Sequence, residues 1–236
     1  MSYQLSSKIL LGGCLLLVSS LASAGITLGS TRVVLSAPAK EASVLVKNQA
    51  SQDVMIQSWI EAESAAGKQD VPFAITPALS RLGSNKQQNL RILYYGQGLP
   101  TDKESMFRLN VQEIPQKAKS ENTLQIALRQ RIKFFYRPAG LPGTAAEAPA
   151  ALKWRLTGQG LEVTNTSAFH VSFGQVKFIS AGKPYSVDAD MIAPGSTLQL
   201  SIKNFPGNTS GTSRKVEFDS INDYGGIDKH TSEFTN

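Results

Sequence analysis

Cysteine is nearly absent from this chain. One occurs among 236 residues, Cys14, in an N-terminal stretch that reads as a leader. With the leader removed, no disulfide and no thiolate ligand is left, so hydrophobic cores must hold the fold unaided. Histidine is almost as scarce. His170 and His230 stand far apart without ligand-like spacing, which argues against a metal site. Beyond residue 24 no apolar run approaches the ~20 residues a membrane helix needs, so no membrane insertion is expected. The apolar periodicity of amphipathic helices is missing, and so are the usual carriers of catalysis. No nucleophile-elbow sequence occurs. Gly195 and Gly225-Gly226 lie in turn-like stretches without the strand–loop–helix setting of a phosphate cradle. Glu61 and Glu63 would share one face of an extended strand, where a solvated edge explains them. These absences argue against an enzyme and call for no cofactor. No basic helix or RNA-binding aromatic signature is present, so nucleic acid is not an expected partner.

The chain carries 24 basic and 18 acidic residues, a net charge of +6. Lys8 is the only charged residue in 1–24, so the remainder keeps 23 basic and 18 acidic residues, or +5. The excess is scattered except around Arg129, Arg131, Lys133 and Arg137. A diffuse excess of this kind suits an acidic protein partner or a membrane surface. Apolar residues make up 41% of the chain, enough for real cores, and the length suits two domains of ordinary size.

Residues 1–24 read as a secretory signal peptide. Lys8 supplies the positive start, residues 9–18 the apolar stretch, and Ala22-Ser23-Ala24 the small-residue pattern that a signal peptidase cuts. Gly25 is then the first mature residue. Lipoprotein processing at Leu11-Gly12-Gly13-Cys14 is the rival reading, disfavoured because little apolar sequence precedes Cys14.

The mature chain alternates short β-rich runs with turn signals. Strands are expected at 26–35, 43–47, 54–60, 73–77, 89–94 and 106–111, with a turn-rich run at 81–88. The run from Pro138 to Ala146 breaks the pattern, and small residues continue to Ala151, where one short helical turn is possible. Strand rhythm resumes at 154–156, 161–165, 171–173, 176–179, 196–202 and 215–221. The polar tail 228–236 is expected to fray. The fold class is therefore all-β, with immunoglobulin-like sandwiches. The division is a domain at 25–140, a linker at 141–150 and a second domain at 151–236. Trp59 and Trp154 both lie in strand patterns that suit cores.

One stretch stands apart, residues 124–138. In an extended strand, side chains alternate faces with period 2. One face carries Leu124, Ile126, Leu128, Gln130, Ile132 and Phe134. The other carries Gln125, Ala127, Arg129, Arg131 and Lys133. Pro138, which cannot donate to a ladder, closes it. The ordinary account is a core strand with a solvated back. The sharper account is an edge strand that lends its apolar row to another protein.

Several pieces, taken in order, resemble the periplasmic pilus-assembly chaperones of Gram-negative bacteria, the PapD-like chaperones of the chaperone–usher pathway. They begin with Ser30-Thr31-Arg32-Val33-Val34, Gln57-Ser58-Trp59-Ile60, Thr76-Pro77 through Arg81-Leu82, and Arg91-Ile92. They continue with Glu104 through Pro115, Ile132 through Pro138, and Ile221-Asn222-Asp223-Tyr224-Gly225-Gly226. The chain departs from the pattern at Ala78, where a second proline is common, and at Arg108, where an aromatic is common.

The resemblance implies two immunoglobulin-like domains set in a boomerang, with a cleft between them. It implies that Arg32 and Lys133 grip the C-terminal carboxylate of a pilin subunit. It implies that Leu124, Ile126 and Leu128 contact the subunit's groove as a donated strand. It also implies that Glu104, Arg137 and Asp223 form an ionic network between the domains. The partners implied are pilin or fimbrial subunits and an outer-membrane usher. The place implied is the periplasm, after cleavage behind Ala24. The short connection 115–123 resembles the short-loop branch of the family. An exposed apolar edge invites aggregation, so self-capping as a homodimer is expected of the free protein. Two other classes compete. An exported structural pilus subunit or adhesin would carry a free alternating apolar segment near its mature N-terminus and an incomplete fold. A carbohydrate-binding sandwich module would show clustered exposed aromatics.

Overall fold

The computed structural model describes residues 25–63, 71–116, 122, 124–158, 160–207 and 214–234. Among the described residues, seventeen strands account for the architecture, together with a 3-10 turn at Ala148–Ala151. The first nine are β1 (Ile26–Leu28), β2 (Arg32–Ser36), β3 (Glu41–Asn48), β4 (Val54–Ala62), β5 (Phe73–Thr76), β6 (Leu79–Leu82), β7 (Gln87–Tyr94), β8 (Ser105–Ile114) and β9 (Arg129–Arg137). They form two facing sheets, ordered β1-β3-β7-β5 and β2-β9-β8-β4-β6. All pairings are antiparallel except β2 with β9, which is parallel.

The rest are β10 (Lys153–Thr157), β11 (Gly160–Thr164), β12 (Val171–Ser180), β13 (Lys183–Val187), β14 (Met191–Ile192), β15 (Thr197–Leu200), β16 (Arg214–Ile221) and β17 (Ile227–Glu233). These give the sheets β10-β11-β15 and β13-β12-β16-β17, with β14 on β12. Each pair of sheets encloses its own core. Phe73, Tyr94, Phe107, Phe134 and Tyr136 interlock in the first. Trp154, Phe173 and Phe218 interlock in the second, with ring centroids 5.4–5.9 Å apart. Leu141, Ala145 and Ala148, within the connection, pack on the second core.

Alternation explains most of the strands, and its failures are informative. Residues 26–35 read as one strand but are two. Gly29 lies against Leu45, the chain crosses between sheets there, and β2 pairs with β9 instead of β3. Residues 171–173 and 176–179 read as two strands but are one, interrupted by a register shift between Phe173 and Val176. Strands β6, β13 and β14 had no clear sequence signal.

The expectation of a frayed tail is wrong over 228–234, and 235–236 lie outside the described residues. β17 pairs with β16 along its whole length, from Ile221↔Ile227 to Lys215↔Glu233. His230 stacks on Phe218 at 4.9 Å and its Nε2 meets the Ser220 hydroxyl at 2.8 Å, while Phe234 packs on Phe178. Backbone pairing and two side-chain anchors hold an edge strand that hydropathy alone does not mark. Trp154 is in the core, 1% exposed, but Trp59 is only half-buried, its Nε1 donating to Glu61.

Candidate functional site

Strand β9 organises the site. Ile132, Phe134 and Tyr136 point into the first core. Its opposite face carries Arg129, Arg131, Lys133, Phe135 and Arg137. Phe135 is buried too, its ring 5.5 Å from that of His170 in the second unit. The sequence carried that signal in Phe134-Phe135-Tyr136. Three consecutive aromatics mean a strand covered on both faces, not one with a solvated back. The cationic face of β9 thus looks into the junction of the two units.

Parallel pairing of β2 with β9 sets Arg32 directly opposite Lys133. They help to line an open cleft of about 360 Å³ with Arg108, Arg131, Ile221 and Ile227. Glu63 pairs with Arg108 at 2.6 Å and Glu61 with Arg131 at 2.7 Å. The Arg108 hydrogen bond is the main reason that the Glu63 carboxyl sits below its ordinary range. Lys133 Nζ donates to Asp190 at 3.0 Å and to the Ser172 hydroxyl at 3.2 Å. The Asp190 side chain is 76% exposed, so water or another anion can replace it.

Arg32 differs from the other three. It is buried, its Nη1 donates to the Ile221 carbonyl at 2.8 Å, and its Nε has no hydrogen-bond partner among the described residues. No carboxylate lies within ion-pair distance of it among the described residues. Burial pushes both cations below their ordinary ranges. For Arg32, Asp223 and Glu104 oppose that push from a distance. For Lys133, Asp190 opposes it while Arg108 and Arg32 add to it. The pair is therefore short of negative charge in a partly dry cleft, where a carboxylate is the complementary ligand.

The turn after β16 fixes the carbonyl that aims Arg32. Asn222 Oδ1 accepts from the amides of Tyr224 and Gly226. Gly225 has φ +84°, and a Cβ there would come within 2.4 Å of the Thr31 hydroxyl oxygen. Glycine lets the second unit's turn seat directly on the residue before Arg32.

Glu104, Arg137 and Asp223 meet in the structure. Arg137 reaches Glu104 through Nε at 3.0 Å and Nη2 at 2.8 Å, and Asp223 through Nη1 at 2.8 Å and Nη2 at 3.1 Å. Its guanidinium also lies over the Phe169 ring at 5.1 Å. Glu104 has a further partner that sequence reasoning missed. His170 approaches it with its backbone N–H at 3.0 Å and Nδ1 at 2.8 Å. Ser172, Asp190 and the Ile221 carbonyl were missed as well, since spacing along a chain says nothing about contacts across a domain junction.

Leu124, Ile126 and Leu128 are 85%, 65% and 51% exposed. The long strand expected over 124–138 is paired only from Arg129 onward. Residues 124–128 have no ladder partner among the described residues, although the Glu113 amide donates to the Leu128 carbonyl. The apolar row thus runs unbroken from solvent into the core. Most of the connection 115–123 lies outside the described residues. So does the leader, 1–24.

Among the described residues no group of three or more potential ligands could hold a metal ion, and no helix is long and apolar enough to cross a membrane.

Comparison with known proteins places this geometry. Residues 25–142 match the family described as pili and flagellar-assembly chaperone, PapD N-terminal domain, and residues 147–232 the pili assembly chaperone PapD, C-terminal domain. The chain is 37% identical over 221 residues to the probable fimbrial chaperone YadV of Escherichia coli K12, covering 88% of this chain and 89% of that one. It is 40% identical over 206 residues to the chaperone protein LpfB of Salmonella typhimurium, covering 85% of each. The crystal structure of the YadV chaperone superposes with a TM-score of 0.79, at 36% identity, over 89% of this chain and 100% of that one. The SafB chaperone, solved in complex with the SafA pilin of Salmonella enterica, gives a TM-score of 0.76 at 26% identity, over 89% of this chain and 96% of the matched one. With two sandwiches in that order and matches across both, the chain belongs to the PapD-like family of pilus-assembly chaperones.

Proposed function

We propose that this protein is a periplasmic chaperone that binds pilin subunits, caps them and passes them to an outer-membrane usher, acting by binding and not by catalysis. Arg32 and Lys133 hold the subunit's C-terminal carboxylate, and Leu124, Ile126 and Leu128 fill the groove left by its missing strand. The observation that carries this reading is a buried Arg32 with no carboxylate partner among the described residues, set opposite Lys133 on β9, with the exposed apolar row 124–128 leading directly into that strand.

Chain direction adds a consequence. Residues 124–133 run toward the cleft, so a guest strand that ends in the cleft runs the same way and pairs in parallel. At ~3.3 Å per residue, Leu128 lies roughly 17 Å from Lys133. It therefore faces a guest side chain about five residues before the C-terminus. Charge-assisted bonds at the anchor contribute roughly 1.5–3 kcal/mol each. Three buried aliphatic side chains contribute roughly 1.5–3 kcal/mol apiece. The row supplies more of the gross energy, and the anchor fixes the register.

Glu104, Arg137 and Asp223 set the angle between a first domain at 25–140 and a second at 151–236, joined by 141–150. The leader is cut after Ala24. The free protein shields its apolar row by pairing with a second copy, and the short connection 115–123 places it in the short-loop branch. Co-expression with a candidate pilin tests the reading. A soluble one-to-one complex is expected, and it is lost on Arg32→Ala or Lys133→Ala. A pilin that stays soluble with both variants overturns it.

A further inference from the structure

The start of β1 meets a buried charge that the subunit site does not use. Glu113, on β8, is 8% exposed. Its Oε2 accepts the Ile26 amide at 3.1 Å, and no lysine, arginine or histidine pairs with it among the described residues. A carboxylate offers about four acceptor positions, and an ionised one buried without a cation is costly.

Gly25 lies directly against it. A Cβ at Gly25 would sit 2.2 Å from Oε2 and 3.2 Å from Cδ. A side chain at this position would push the carboxylate aside. Two substituents on one Cα are about 2.5 Å apart, so the Gly25 nitrogen lies within about 5 Å of Oε2. The segment is held from two further sides. The Gln49 amide donates to the Gly25 carbonyl at 3.1 Å, and Gln130 Nε2 donates to the Ile26 carbonyl at 2.6 Å.

We infer that Glu113 is a built-in receptor for the α-ammonium group of Gly25, completed only when the chain is cut before that residue. The inference rests on the leader reading given above. In an uncut chain the Gly25 nitrogen is a neutral amide with one N–H. After hydrolysis of the Ala24–Gly25 peptide bond it is an ammonium with three donors and a full charge, the donor set that the unfilled acceptor positions of a carboxylate take up. Glu113 also donates its own amide to the Leu128 carbonyl at 2.9 Å. The receptor therefore sits at the root of the exposed apolar row. Cutting the chain anchors β1 and firms the base of that row in one step.

The test begins with the exported protein. Intact mass should give a start at Gly25. Any other start overturns the leader reading and the inference with it. Four forms are then compared by thermal unfolding: Glu113 or Glu113→Gln, each starting at Gly25 or carrying one additional alanine ahead of it. The additional residue moves the ammonium ~3.8 Å along the chain. Glu113→Gln should lower the midpoint by at least about 3 °C in the protein starting at Gly25, and by clearly less in the extended one. Equal losses in both, or no loss in the first, overturn the receptor while leaving the leader reading intact. A second readout needs no unfolding. The α-amine of the folded protein should acylate several-fold more slowly than that of Glu113→Gln, and equal rates overturn the assignment.

Discussion

Replacing Arg137 by alanine removes the centre of the junction between the two units. Four hydrogen bonds disappear, two to Glu104 and two to Asp223. The two carboxylates then fare differently. Asp223 has 38% of its side chain exposed and is re-solvated at little cost. Glu104 has 2% exposed and, among the described residues, keeps hydrogen bonds to its carboxylate only from His170. Breaking a buried pair by deleting one partner costs roughly 3–5 kcal/mol, because the survivor is left uncompensated. The His170 bonds place this site at the low end, about 3 kcal/mol. For a protein of this size each kcal/mol moves the unfolding midpoint about 2–4 °C, so Arg137→Ala should lower it by roughly 6–12 °C. Burial disfavours the charged guanidinium, yet Asp223 and Glu104 hold it above its ordinary range, which is the same coupling seen from the other partner. The decisive comparison is Arg137→Ala with Arg137→Ala/Glu104→Gln, followed by urea and thermal unfolding. If an uncompensated Glu104 is the cause, neutralising it restores part of the loss. A double variant no more stable than the single one, or a single variant within about 0.5 kcal/mol of the parent, refutes the reasoning.

Ile126→Asp should leave the unfolding midpoint nearly unchanged, since the side chain is already 65% exposed, while abolishing co-purification with a subunit; a large loss of stability would show that the row packs within the chain. Lys133→Ala should weaken binding of a peptide ending in a free carboxylate by roughly 10–150-fold, the equivalent of one charge-assisted bond, and should leave the same peptide with an amidated terminus unaffected, as titration calorimetry can measure. Binding should also depend on alkaline pH. Burial holds Lys133 below the ordinary lysine range, and a bound carboxylate favours its charged form. Affinity is then fully present below the lowered value and falls as pH rises through it, earlier than for an exposed lysine. Over the same window the empty protein gains stability, because losing the proton relieves a buried charge until the unfolded-state value near ~10.4 is passed. Affinity and stability that move together across that window would contradict the assignment.

Much of this molecule was legible before its fold was known. The period-2 rows and turn residues of 54–60, 106–111 and 161–165 specify strands, because a half-buried sheet demands alternation. The unusual length of the apolar row through Leu124, Ile126, Leu128 and Ile132 marked β9, but the solvated back expected for it overlooked its run of three aromatics, and Phe135 is buried at the junction. Its resemblance to known chaperones supplied Arg32, Lys133, Glu104, Arg137 and Asp223, which spacing alone would have left as surface charges. β17 was misread because an edge strand is held by backbone pairing and by His230 and Phe234, neither of which hydropathy reports. Tertiary structure alone decided the rest. It set Arg32 opposite Lys133 across a parallel ladder, seated the Gly225 turn on Thr31, gave Lys133 an exposed acid and Arg32 none, and buried Glu113 against Gly25. Such facts depend on which distant residues share a junction. Local sequence fixes the faces of a strand through its geometry, but the partner of each face is chosen only when the sheets and the two units close.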